Sequence, residues 1–457
     1  MSDELHAPLP DPNAGRPVGG TEHSWCKAVA GGTGITVLAL LLSRPPDFPL
    51  LQTSLAGLKN SRPILRSRLS FNPASNTFSF LTPPPSSAVE IHRADLPPPP
   101  HRDSPTSPLH LILENELNLN PWSDGGRPTL ADTDLMFATV YAVENSKCVV
   151  ALRFHTGVCD RTSAVSLLRE LMKMTGGGGG GGGEIAQSVG LGIEDLVPEG
   201  KGHKPLWARG VDVLGYSLNS LRVSNLGFLD DRSPRRSEVV RLQIDSPETD
   251  RILEGCKSRG IKLCGAMAAA GLIAARSGKG FGDSRWEKYS VVTLMDCRSV
   301  LHPPLSAHHL GFYHSAISNT HDVNGEENLW ELAMRAYASF SDAKNRGKHF
   351  SDMGDLNFLM CRAMDAPALT PSSSLRTCLV SVFEEAVIDG VDEIRQEIGI
   401  EDYLGCASVH GVGPSIAIFD TIREGRLDCA VVYPAPLHSR EQIRGLVDEM
   451  KRVLVNC

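Results

Sequence analysis

No two cysteines in this chain are separated by only two residues, although it holds 11 of them. Zinc sites draw on such short spacings, so no metal is expected. The odd count, with a polar start at Asp3 and Glu4, argues against a disulfide framework and for reduced thiols in the cytoplasm. No basic block occurs either. The 45 Lys and Arg stand against 53 Asp and Glu, a formal charge of −8, which speaks against a nucleic-acid partner. No apolar run is long enough for a membrane span; Ile35 to Leu42 falls well short of the ~20 residues required. Gly31-Gly32-Thr33-Gly34 lacks a following lysine, so it reads as a turn and not as a phosphate loop. What remains is ordinary globular composition, 41% hydrophobic and 21% charged. At 457 residues the chain is too long for one ordinary core, and two domains are expected.

The informative stretch is Lys147 to Met172. Cys148 to Leu152, with Phe154 beyond, is a continuous apolar run rich in valine, the pattern of a strand buried on both faces. It ends in His155-Thr156-Gly157-Val158-Cys159-Asp160. A helix follows, with Thr162 or Ser163 as its expected N-cap and Ala164, Leu167, Leu168, Leu171 and Met172 on one face. A histidine and an aspartate thus sit where a rigid strand meets an electropositive helix end.

The rest of the chain alternates strands and helices. Residues 1–15 read as a disordered tail and residues 176–183, an unbroken glycine run, as a flexible insertion. A short strand is expected over Ser24 to Val29 and a helix from Gly34 to about Leu42. Further strands are expected at Ile64 to Leu69, Ala88 to His92 and Thr133 to Val143. The polar stretch around Pro234-Arg235-Arg236 marks the boundary between domains 16–230 and 231–457. Arg232, Arg235 and Arg236 form either a solvated face or a phosphate site. In the second half, strands are expected at 237–244, 289–295, 378–383, 405–409, 415–419 and 427–433. Asn328 to Asn345 and the segment after the capping box Ser439 to Gln442 are amphipathic helices.

The His155-to-Asp160 segment resembles the His-x-x-x-Asp motif of the coenzyme A-dependent acyltransferase superfamily. That group includes chloramphenicol acetyltransferase, plant BAHD acyltransferases, alcohol acetyltransferases and peptide-synthetase condensation domains. Other stretches resemble it in the same order: Arg16 to Glu22, Pro63 to Leu69, Gly260 to Arg276, and Asp296-Cys297-Arg298 followed by Pro303, Pro304 and Leu310-Gly311-Phe312. The resemblance implies an α/β fold of two chloramphenicol acetyltransferase-like domains, each a mixed sheet flanked by helices, around an inter-domain tunnel. It implies an acyl-CoA co-substrate, no permanently bound cofactor, and small-molecule acyl donor and acceptor as partners; two fused halves in one chain suit a monomer. It also implies that Asp160 pairs with Arg298 as scaffold.

The motif is degenerate. Several family members write His-His-x-x-x-Asp-Gly, with the second histidine as general base. Aligned on Asp160, that position is Thr156; His155 matches the first histidine, and Arg161 replaces the glycine. Neighbouring strand residues face opposite ways, so a regular strand turns Thr156 toward the tunnel and His155 away from it, unless Gly157 permits a bulge. Three functions follow. In the first, His155 is the base of an acyltransferase and Thr156 a possible hydrogen-bond donor to the oxyanion. In the second, the protein binds or regulates without catalysis, because threonine is no base near neutral pH. In the third, Cys159 carries the acyl group, although a buried structural thiol is the simpler reading. His308, His309 and His314 flank the Leu310-Gly311-Phe312 segment and are possible tunnel residues and substitute bases; so is His410. Each can equally be a loop or turn histidine.

Overall fold

The computed structural model describes residues 15–98, 107–176, 189–278, 286–324, 326–389, 395 and 397–456. Most of the expected tail and most of the glycine run therefore lie outside the described residues. Two large sheets carry the architecture. The first is built on β1 (Thr33–Leu42), with β2 (Ile91–Ala94), β3 (Met136–Ala142) and β4 (Cys148–His155). The second contains β5 (Arg236–Ile244), β6 (Glu287–Asp296), β7 (His314–Val323), β8 (Arg376–Phe383), β10 (Gly413–Arg423) and β11 (Arg426–Ala435). Both are mixed: β2 lies parallel to β3 in the first, and β8 lies parallel to β6 and β10 in the second.

The second half gives a strand to the first. β9 (Ile400–Val409) belongs to the second half in sequence, yet it pairs antiparallel with β1, so the first sheet runs β9-β1-β4-β3-β2. A boundary drawn at residue 230 leaves this strand on the wrong side. The second sheet runs β5-β11-β10-β8-β6-β7, with the short strand Val387–Ile388 beside β10.

Helices cover the sheets: α1 (Gly20–Ala30), α2 (Pro108–Asn118), α3 (Arg161–Thr175), α4 (Leu206–Arg222), α5 (Leu263–Ser277), α6 (Leu329–Asn345), α7 (Met353–Asp365) and α8 (Arg440–Val455). α5 is buried along nearly its whole length, because its alanines and glycines let α6 and α8 approach closely. Among the described residues, no helix is long and apolar enough to cross a membrane.

The sequence expectation is reversed at the start of the chain. Residues 24–29 are helical, and 34–42 form a strand buried along almost its whole length. A short continuous apolar run has no period to separate helix from strand, and here pairing on both edges decides it. Residues 63–66 likewise form a short helix, with the strand at Arg68–Asn72.

Candidate functional site at the seam of the two halves

Strand register sorts the motif residues. In the antiparallel β1–β4 pair, His155 lies opposite Ile35, Phe154 opposite Thr36 and Leu152 opposite Leu38. Directly opposed residues share a face. Arg153 and His155 point toward α2: Arg153 donates to Glu116 at 2.5 Å, and the His155 ring meets Trp122 edge-on at 5.3 Å. Thr36 and Leu38 point the other way and line a cavity of about 960 Å³. That volume is in the usual range for a small-molecule site.

The cavity lies between the sheets. β1 and α3 line one side, and β6, β7, β8 and β10 line the other. Most of its lining is apolar. Trp25, Phe312, His314, Phe383 and Phe419 form a chain of ring contacts, from 4.9 Å for Trp25–Phe312 to 6.1 Å for Phe312–His314.

Thr156, at the motif position, is on the lining. Its hydroxyl is 2.6 Å from that of Thr36. His155 is not on the lining. It is fully buried, its Nδ1 accepts from the Gly157 amide at 3.1 Å, and its Nε2 is sealed without a partner. Burial pushes its imidazole down to about 3. The expectation that His155 serves as base fails here, because the strand stays regular to its end and no bulge turns the ring around.

Asp160 organises the loop. It is the N-cap of α3, taking the Ser163 amide at 2.8 Å, where the sequence suggested Thr162 or Ser163. Its second oxygen accepts from the Tyr313 amide at 2.9 Å. Arg298 reaches both carboxylate oxygens at 3.0 Å, from 138 residues away. His314 Nδ1 is also 3.0 Å from Asp160 Oδ2. Burial alone would raise the Asp160 pKa; Arg298 first, then His314, outweigh it and hold the carboxyl well below its usual range.

The other candidates separate. His314 lines the cavity, whereas His309 and His410 do not. His309 is exposed and engages Ser306 through Nδ1, while its carbonyl accepts from Arg298. His308 is also exposed, 3.1 Å from the Ser166 hydroxyl. His410 bonds Ser237 at 3.0 Å and presses its ring on the bare Cα of Gly32, where a Cβ would lie 2.2 Å from Nε2. With φ at +99°, Gly32 is also in a conformation that favours glycine. Cys159 is fully buried and off the lining, and burial raises its thiol pKa well above the ordinary value. That position does not suit an acyl carrier.

Arg161 occupies the place of the motif glycine and crosses the seam. It donates to the Asp420 carboxylate at 2.9 Å and lies over the Phe383 ring at 4.2 Å. Of the arginines near residue 234, Arg236 pairs with Glu238 and Arg235 donates to the Ser374 carbonyl. Asp212, Asp352 and Asp355 converge at metal-ligand spacing, yet the Lys204 ammonium bonds all three and supplies the positive charge there.

This pair of sheets, bridged by one strand from the second half around a cavity with the Thr156-to-Asp160 loop on its wall, is the chloramphenicol acetyltransferase-like fold shared with solved acyltransferases and condensation domains. Residues 233–363 match the family described as phthiocerol/phthiodiolone dimycocerosyl transferase C-terminus. Polyketide synthase associated protein 5 from Mycobacterium tuberculosis superposes with a TM-score of 0.68 at 15% identity, over 97% of this chain and 98% of that one. TRI3 trichothecene 15-O-acetyltransferase from Fusarium sporotrichioides gives 0.69 at 12% identity, over 96% and 94%. The X-domain from teicoplanin biosynthesis gives 0.60 at 16%, over 98% and 96%. No curated protein matches the chain in sequence.

Proposed function

We propose that the protein transfers an acyl group from a thioester, with acyl-CoA as donor, to a hydroxyl or amine acceptor inside the seam cavity. The observation that carries this reading is the cavity itself: the motif loop with Thr156 and Asp160 is on one wall, and strands of the other half form the opposite wall. The apolar lining suits an acyl chain. Arg169, Lys348 and Arg362 on the same lining supply positive charge for an anionic donor. In the reaction the acceptor gives its proton to a base and its lone pair attacks the thioester carbon. The tetrahedral oxyanion takes hydrogen bonds, for which the Thr36–Thr156 hydroxyl pair is placed. The C–S bond then breaks, and the thiolate recovers the proton from the base and leaves as free coenzyme A.

The test is release of free coenzyme A from acetyl-, hexanoyl- and palmitoyl-CoA, followed by mass spectrometry with hexanol, hexylamine or water as acceptor. Release above the uncatalysed rate is expected. The threonine at the motif's histidine position favours a second reading, a binding protein without turnover. Saturable acyl-CoA binding with no release in any combination would establish that reading instead.

A further inference from the structure

We infer that the general base is carried by the second half of the chain, and that it is His314. The inference rests on the acyl-transfer reading and adds the residue on which that reading depends. Three observations carry it. First, neither motif residue can take the proton: Thr156 has only a hydroxyl, and His155 faces α2 with both nitrogens sealed. Second, His314 is the one histidine among the described residues of the cavity lining. The lining carboxylates and thiols are otherwise engaged: Asp212 is held by Lys204, Asp389 by Arg395, and burial raises the thiol pKa of Cys378 and Cys406.

Third, the imidazole is oriented for the task. Asp160 is ionised, held so by Arg298, and a carboxylate only accepts hydrogen bonds. The 3.0 Å contact from Asp160 Oδ2 to His314 Nδ1 therefore has the proton on Nδ1. In the neutral ring this leaves the lone pair on Nε2. Among the described residues no hydrogen bond to that atom is formed, and His314 lies on the cavity lining, in contrast to His155 with its buried Nε2. A carboxylate behind one nitrogen fixes both tautomer and ring direction, and it stabilises the imidazolium that forms when Nε2 takes a proton. In the step itself Nε2 removes the acceptor's proton as the new O–C or N–C bond forms. It returns that proton to the sulfur as the C–S bond breaks. Asp160 stays ionised throughout.

The experiment compares wild type with His314→Gln and His314→Ala, reading coenzyme A release from the same acyl-CoA panel. Water serves as acceptor, so turnover does not wait on the native alcohol or amine. Glutamine keeps an N–H for Asp160 but offers no base. His314→Gln should retain the urea midpoint and acyl-CoA binding while release falls by about 100-fold or more. Release by His314→Ala should rise again when free imidazole is added, which a merely structural role would not produce. Wild-type turnover with release in His314→Gln within a few-fold, or no imidazole response, would overturn the inference and leave acyl transfer standing. Absence of release from wild type with every thioester would overturn acyl transfer, and this inference with it.

Discussion

Asp160→Asn isolates charge from shape at the seam. Asparagine caps a helix about as well as aspartate, so the bond from the Ser163 amide can survive and α3 keeps its start. What disappears is the negative charge facing Arg298, which is 3% exposed. Breaking one side of a buried pair typically costs about 3–5 kcal/mol. Arg298 keeps Asp296 at 3.1 Å, the Ser163 hydroxyl at 2.9 Å and the His309 carbonyl at 3.1 Å, so the lower end, about 3 kcal/mol, is expected. Set against a typical total of about 5–15 kcal/mol, that is a large fraction. The assay is urea unfolding followed by tryptophan fluorescence, for Asp160→Asn, Arg298→Met and the double variant. The double variant should be less destabilised than the two single losses summed, by at least ~1 kcal/mol. An unchanged midpoint in Asp160→Asn, or strict additivity, would refute the reasoning that the pair ties the motif loop to the second half.

Three more predictions follow from the same geometry. Because Asp160 titrates lower in the folded chain than its unfolded value of about 3.9, its stabilisation is complete above that value and drains away as pH falls below it. Urea midpoints between pH 5 and 2.5 should therefore drop more steeply in wild type than in Asp160→Asn. His155→Ala removes a fully buried ring from against Trp122 and should cost about 2–4 kcal/mol. Coenzyme A release per folded molecule should be unchanged, and a large fall in that rate would return the base to the motif strand. Among the described cysteines, partly exposed Cys361 should react with iodoacetamide before buried Cys159, as read by peptide mass spectrometry; early alkylation of Cys159 would contradict its burial.

Much of the fold was legible because long-period patterns and local signals agreed. The amphipathic 328–345 helix and the capped helix after Ser439 each have one reading, and the structure places each within a residue or two. Residues 24–42 were not legible. Their helix and strand are decided by β1 taking an interior place in a sheet between β4 and β9, and β9 arrives from more than 350 residues away. The alternation argument at the motif did predict that Thr156 and His155 diverge, since it needs only a regular strand. The tautomer-fixing contact could not be read, because His314 and Asp160 are 154 residues apart and nothing in either neighbourhood encodes the other. A histidine two residues after a Gly-Phe pair has no local signature that separates it from His308 or His309.

Asp160 explains why such a site can hold together without a histidine at position 156. The carboxylate already has three structural duties: it caps α3, it takes the Tyr313 amide, and it neutralises Arg298. Each duty would exist in a purely structural loop, and together they keep the group ionised at any ordinary pH. An ionised carboxylate at a cavity wall then orders any donor beside it. Arg298 comes from beyond the end of β6, and the Tyr313 amide and His314 from the start of β7, so the second half supplies most of those donors. The ring at 314 inherits its direction from bonds needed for stability. The same contact that holds the halves in register fixes that ring on the wall of the cavity between them.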